Sequence, residues 1–193
     1  MRLFIAIDFN ELKDYFAKLQ DLLPKNATLS FTKTFHLTLK FLGEVQPDKV
    51  ETIINDLKNI KFRQFPVFLD SIGIFPSENY IRVVWIGLNP EEKIMELQQN
   101  IDESLKRLFK CQKSKISDHA QKFYKFLTKE KDFKAHITLA RVKYPEDKKS
   151  FLEQLRKIKI ENKKIEIKDF RLIKSTLNPK GPVYEDLYVF NFG

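Results

Sequence analysis

Two histidines in this chain sit in the same local phrase. One phrase is Phe35-His36-Leu37-Thr38-Leu39-Lys40-Phe41-Leu42, and the other is Ala135-His136-Ile137-Thr138-Leu139-Ala140-Arg141-Val142. Each reads His-x-Thr-x within an apolar run. Side chains alternate faces along a strand, so His36 and Thr38 share one face while Leu37, Leu39 and Phe41 take the other. His136 and Thr138 share a face in the same way, with Ile137 and Leu139 behind them. An imidazole beside a hydroxyl, presented twice across a groove, suits a phosphodiester. A neutral imidazole takes a proton from water, and an imidazolium protonates the departing oxygen. The hydroxyls donate to the non-bridging phosphate oxygens. An imidazole pKa near neutrality lets the pair divide these roles without a metal. One such motif alone reads as a structural histidine beside a strand-forming threonine. Its repetition by two of the three histidines, in opposite halves of the chain, points to a repeated unit with a shared site.

The elements that must position these strands follow from local pattern. Arg2–Asp8 reads as a buried strand. Asn10 is expected to cap a helix from Glu11 to Leu23, with Leu12, Phe16, Leu19 and Leu23 on one face. Phe35–Leu42 and Ala135–Val142 are the motif strands. Pro47 opens a helix to Asn59. Phe65–Phe75 and Tyr80–Leu88 form a strand pair around a turn at Pro76–Asn79. Asn89, Pro90, Glu91 and Glu92 are expected to start a helix that runs to Phe109. Pro145 and Glu146 open a helix to Ile158. Lys164–Leu177 and Val183–Phe190 close the chain as two strands joined by a Pro- and Gly-containing turn. The class is α+β with largely antiparallel sheets, and if the two motif units pack about a pseudo-two-fold axis they face one another across a groove. No linker divides the chain, so residues 1–193 are expected to form one domain of two intertwined lobes.

Other residues could join the site. Lys40 shares the His36 face if its strand stays regular, where it would attract phosphate. Arg141 has the wrong parity for the cleft unless a bulge re-aims it. Phe41, Trp85 and Tyr184 are either core aromatics or surfaces for a base. His119 and Cys111 lack paired ligand spacing, so no metal site is expected. No Gly-x-x-x-x-Gly-Lys loop exists among the five glycines, which leaves ATP use and other cofactors unsupported.

Composition narrows the partners. Over 193 residues, 35 Lys and Arg against 26 Asp and Glu give a formal charge of +9. Such a surface attracts phosphate polymers. The Lys110–Lys134 stretch is the most basic. It reads either as an RNA-contacting flap or as a solvated helix and loop, with Ser117 placed to cap a short helix. One cysteine excludes a disulfide framework and suits a reducing, cytoplasmic setting. No apolar run is long enough to span a membrane, and the start lacks a signal-peptide pattern.

These residues resemble the 2H phosphoesterase superfamily, named for its two His-x-Thr/Ser-x motifs. More narrowly, the chain is similar to the RNA 2′,3′-cyclic phosphodiesterases once called 2′-5′ RNA ligases. The resemblance runs through Met1–Asp8, His36–Val45, Gly73–Pro76, Arg82–Leu88, His136–Arg141, Ser175–Leu177 and Gly181–Tyr184. It implies a bilobal α+β fold and metal-independent hydrolysis of RNA 2′,3′-cyclic phosphate ends to 2′-phosphates. By the same resemblance His36 donates a proton to O3′, His136 activates water, and Thr38 and Thr138 bind the phosphate. Arg141 becomes a cleft candidate. Ala135 stands where the family often has proline. The implied partner is RNA, including tRNA fragments, or small nucleotides, met by a monomer. Two alternatives remain open at this point: ATP-independent 2′-5′ RNA joining, and non-catalytic binding of RNA ends.

Overall fold

The computed structural model describes residues 1–110, 133–179 and 181–193. The Ser117 cap, His119, Cys111 and most of the basic stretch lie outside them. Among the described residues, nine strands form two antiparallel sheets. The first sheet has the order β3-β1-β8-β9, from β3 (His36–Glu44), β1 (Arg2–Asp8), β8 (Asp169–Asn178) and β9 (Gly181–Asn191). The second has the order β2-β6-β5-β4-β7, from β2 (Ala27–Phe31), β6 (His136–Pro145), β5 (Tyr80–Asn89), β4 (Phe65–Ser77) and β7 (Lys164–Ile167). The helices are α1 (Lys13–Asp21), α2 (Val50–Leu57), α3 (Glu92–Lys110) and α4 (Lys148–Leu155). The expected α+β, two-lobed architecture is the one observed. The lobes interleave along the chain: β2 serves the second sheet before β3 enters the first, and β8 and β9 return to the first.

One cluster of buried side chains spans both sheets. It takes Leu3, Ile5 and Ile7 from β1, Leu37 and Leu39 from β3, Val84 and Ile86 from β5, and Ile137 and Leu139 from β6. Helix α3 adds Ile94, Leu97, Ile101 and Leu105, spaced so that they fall on one face. Burying each such side chain contributes about 1.5–3 kcal/mol. Phe4, Ala6 and Ile173 are buried separately, with Tyr184 packed on them. Phe4 and Ala6 alternate with the core residues of β1 and Ile173 of β8 pairs with Phe4, so the three occupy the other face of the first sheet, on the side of His36.

Several local expectations change. Asn10 does not cap α1. Its amide donates to Asp8, and its Oδ1 accepts from the Phe35 backbone at 2.9 Å. A 3-10 turn at Asn10–Leu12 precedes the helix instead. Asn89 stays in β5, paired with Phe68, and α3 begins only at Glu92. Pro145 ends β6, and α4 is capped by Asp147, whose Oδ1 accepts from Lys149 and Ser150 at 2.9 and 3.2 Å. The expected strand over 164–177 is two strands in different sheets: β7 pairs with β4, and β8 pairs with β1 and β9. Strand β2 was not expected at all.

Candidate active site

Both motif strands place their histidine at the first position. His36 opens β3 opposite Asp8 of β1, and His136 opens β6 opposite Gly87 of β5. The two strands bury the same pattern. His36, Thr38 and Phe41 are at least partly accessible while Leu37, Leu39, Lys40 and Leu42 are buried; His136, Thr138 and Arg141 are at least partly accessible while Ile137, Leu139, Ala140 and Val142 are buried. The reason is a bulge at the same place in each motif. In β3 the pairing skips from Ala6↔Thr38 to Ile5↔Lys40, and in β6 it skips from Trp85↔Thr138 to Val84↔Ala140. Leu39 and Leu139 are the extra residues. Beyond each bulge the parity inverts.

That inversion decides two candidates. Arg141 now shares the face of His136 and Thr138. The tyrosine beside His36 feels its charge: Tyr184 is pushed up by burial, and the guanidiniums of Arg141 and Arg2 oppose that rise. Lys40 is turned off the cleft face. It is 4% exposed, and its ammonium lies 2.8 Å from Asp102 on α3. The expected phosphate contact by Lys40 rested on a regular strand, and the bulge removes that premise. Lys40 ties β3 to α3 instead.

The imidazoles are enclosed by rings. His36 lies 5.1 Å from Phe4 and edge-on at 5.2 Å to Tyr184. His136 lies edge-on at 4.8 Å to Phe75 and 6.0 Å from Trp85. Trp85 in turn lies flat over Gly73, where an added Cβ would come within 2.1 Å of the indole. Gly73 is therefore required for close approach rather than for its backbone angle. Tyr184 contacts the His36 ring, whereas Trp85 lies between Gly73 and the His136 ring. Phe41 is 55% exposed, at the position in its lobe that Arg141 takes in the other.

Electrostatics separates the two histidines. Burial pushes the His36 pKa down from 6.5 to about 4, and the charge of a protonated His136 lowers it further within that figure. The two rings are thus within electrostatic reach of one another, as strands β3 and β6 are in contact. Burial also lowers the His136 pKa, but its ring bonds to the Lys134 backbone carbonyl through Nδ1 at 2.7 Å, which opposes the shift. A carbonyl only accepts, so Nδ1 carries the hydrogen and Nε2 is left with its lone pair. The segment that supplies this carbonyl is anchored: Lys134 Nζ lies 2.6 Å from Glu91 just ahead of α3. Both imidazoles are therefore held below the ordinary value, and only His136 has a backbone carbonyl that works against the shift.

Among the described residues no three His, Cys, Asp or Glu side chains group to hold a metal ion. Among the same residues no helix is long and apolar enough to cross a membrane. A groove of about 840 Å³ lies at the Phe65 end of β4 and is lined by neither histidine. Phe75, near the other end of that strand, is the residue that touches His136.

Each of the two antiparallel sheets thus contributes one His-x-Thr strand, and the two strands are in contact. The model of the LigT like Phosphoesterase family matches residues 7–85 and 112–184. The chain is 36% identical over 189 residues to an RNA 2′,3′-cyclic phosphodiesterase of Methanocaldococcus jannaschii, covering 96% of this chain and 97% of that one. It is 33% identical over 200 residues to the protein of the same name from Thermotoga maritima, covering 100% and 96%. Among solved structures it is similar to a Thermus thermophilus protein, with a TM-score of 0.75 and 25% identity over 100% and 98% of the two chains. It also shares the fold of E. coli LigT complexed with 3′-AMP, with a TM-score of 0.67 and 22% identity over 99% and 97%. The chain belongs to the LigT-like phosphoesterase family.

Proposed function

We propose that this phosphoesterase hydrolyses 2′,3′-cyclic phosphate ends of RNA to 2′-phosphates with its own two imidazoles. The observation that carries the reading is the pair of identically bulged His-x-Thr strands, whose imidazoles sit in different surroundings. The names of the relatives supply the substrate class. His136 Nε2 takes a proton from water as the water oxygen bonds to phosphorus. The bond from phosphorus to O3′ breaks, and His36 gives its proton to O3′. The product is a 2′-phosphomonoester beside a 3′-hydroxyl. His36 reloads and His136 unloads by exchange with solvent before the next turnover.

The division of labour follows from the environments. The carbonyl of Lys134 favours the imidazolium that His136 becomes, which makes it the better base. His36, with its proton affinity depressed by burial, is the stronger acid. The anionic substrate brings a negative charge beside His36 and favours its protonated form on binding. Thr38 and Thr138 donate hydroxyls to the non-bridging oxygens, and Arg141 neutralises their charge. No step needs a metal, a nucleotide or a partner subunit. RNA joining is the reverse step with a 5′-hydroxyl in place of water, which dilute aqueous conditions disfavour.

The test is a short RNA ending in a 2′,3′-cyclic phosphate, incubated with protein and EDTA, with the product followed by phosphorus NMR. A 2′-phosphate supports the proposal. A 3′-phosphate overturns the assignment of O3′ as leaving group, and dependence on added metal overturns the acid–base mechanism.

A further inference from the structure

We propose that the face of the five-stranded sheet beyond Arg141 is a track for the single-stranded RNA that precedes the cyclic phosphate. Tyr80 and Tyr144 supply stacking surfaces for bases, and Arg82 and Lys143 contact the backbone phosphates. The proposal rests on the phosphodiesterase reading above and specifies its substrate as an RNA strand rather than a mononucleotide.

Two further register shifts build the track. On β4 and β5 the pairing skips from Phe75↔Val83 to Pro76↔Ile81. Ile81 and Val84 are buried while Arg82 and Val83 between them are not, so both turn to the side of Trp85. On β2 and β6 the pairing skips from Leu29↔Val142 to Thr28↔Tyr144. Lys143 and Tyr144 are therefore both exposed beyond buried Val142. Tyr80 and Tyr144 are 60% and 66% exposed. With Arg82, Lys143, Lys148 and Glu146 they line one groove of about 370 Å³. The Arg82 guanidinium lies over the Tyr80 ring at 5.5 Å. From His136 to Lys143 along β6 is roughly 20 Å, the reach of a few nucleotides.

Charge sets the direction in which the strand leaves the cleft. The groove holds three cations, Arg82, Lys143 and Lys148, against one carboxylate, Glu146, and Arg141 stands between it and the histidines. On the first sheet two cations lie on the His36 side: Arg2, whose charge acts on Tyr184, and Arg171, which is held by carboxylates. Arg171 lies 3.3, 3.2 and 2.8 Å from Asp8, Asp169 and Asp186, so carboxylates outnumber it there. Two cations against three carboxylates on that side, and three cations against one in the groove, favour the second sheet as the path of a polyanion. Interleaved aromatic and basic side chains are the means by which proteins hold single strands without reading sequence.

The experiment compares a short cyclic-phosphate-ended oligonucleotide with a mononucleotide 2′,3′-cyclic phosphate. The variants are Tyr80→Ser/Tyr144→Thr and Arg82→Gln/Lys143→Gln, all at exposed positions. The expected result is a KM for the oligonucleotide at least tenfold below that for the mononucleotide in the parent. Each double variant raises the oligonucleotide KM about tenfold and leaves the mononucleotide kcat and KM unchanged. Loss of the two cations also lowers the slope of log KM against log salt by about 1.4. Equal KM values for the two substrates, or equal losses on both, overturn the track. If the parent turns over neither substrate, the phosphodiesterase reading falls, and anisotropy of the same oligonucleotide carrying a dye and a 2′-phosphate decides the track. Binding weakened by the tyrosine changes upholds it, and binding indifferent to them overturns it.

Discussion

The depressed proton affinity of His36 can be tested by wetting the ring. Tyr184 covers one side of the imidazole at 5.2 Å and Phe4 lies against it at 5.1 Å. Burial is the larger cause of the fall from 6.5 to about 4, and the His136 charge is the smaller. A shift of that size corresponds to about 3 kcal/mol against the imidazolium. Replacing half-buried Tyr184 by serine admits water to one ring-covered side, and we expect about one pH unit to return, roughly a tenfold change. His136→Gln removes only the charge and should return less. The assay is a pH titration of the histidine ring signals by carbon–proton NMR, with each signal assigned by its own substitution. A parent His36 that titrates near 6.5 would refute the enclosure argument. So would a larger rise in His136→Gln than in Tyr184→Ser, because it would make charge rather than burial the main cause.

Other consequences follow from the same geometry. Because His36 in the native state binds its proton less tightly than in the unfolded chain, stability is full above pH 6.5 and falls by about 3 kcal/mol as the pH drops toward 4; urea titrations should show this loss shrink in His36→Asn. The kcat/KM profile of the parent should be bell-shaped with its maximum below pH 6.5, since both histidines are lowered, and should report constants of the pair rather than of either ring. A cyclic substrate with sulfur in place of O3′ has a leaving group that needs no proton, so it should rescue His36→Ala but not His136→Ala; the opposite pattern reverses the assigned roles. Asp102→Ala removes the carboxylate beside buried Lys40 and should cost about 3 kcal/mol of stability, while kcat per folded molecule stays near the parent value. Gly73→Ala forces Trp85 off the floor beneath His136, and we expect kcat to fall about tenfold or more.

The strands that carry chemistry were legible because their patterns are local. His36 with Thr38, and His136 with Thr138, could be paired on one face from alternation alone. What alternation cannot reveal is a bulge, which is set by the neighbouring strand. The same bulge therefore turned Lys40 inward and Arg141 outward, against simple parity. Strand β2 alternates Ala27, Leu29 and Phe31 with Thr28 and Ser30, but over five residues with only partial burial that alternation is too short to mark a strand by itself. It is held by pairing with β6 and by Gln20, whose amide donates to the Thr32 and Leu139 carbonyls at 2.8 Å each. The split of 164–177 into β7 and β8 is likewise a tertiary matter: nothing in the intervening Lys168 signals a change of sheet. Asn10 and Asn89 had cap chemistry available, but tertiary pairing claimed both residues first.

The central claim is that two imidazoles, and nothing else, move the protons. Its most direct test is the single-turnover rate on a cyclic-phosphate-ended RNA in EDTA for the parent, His36→Ala and His136→Ala. We expect the parent to be fully active and each variant to lose at least a hundredfold, with the fold of each confirmed by its unfolding curve. Near-parental turnover by either variant, or a parent that EDTA silences, would contradict the account.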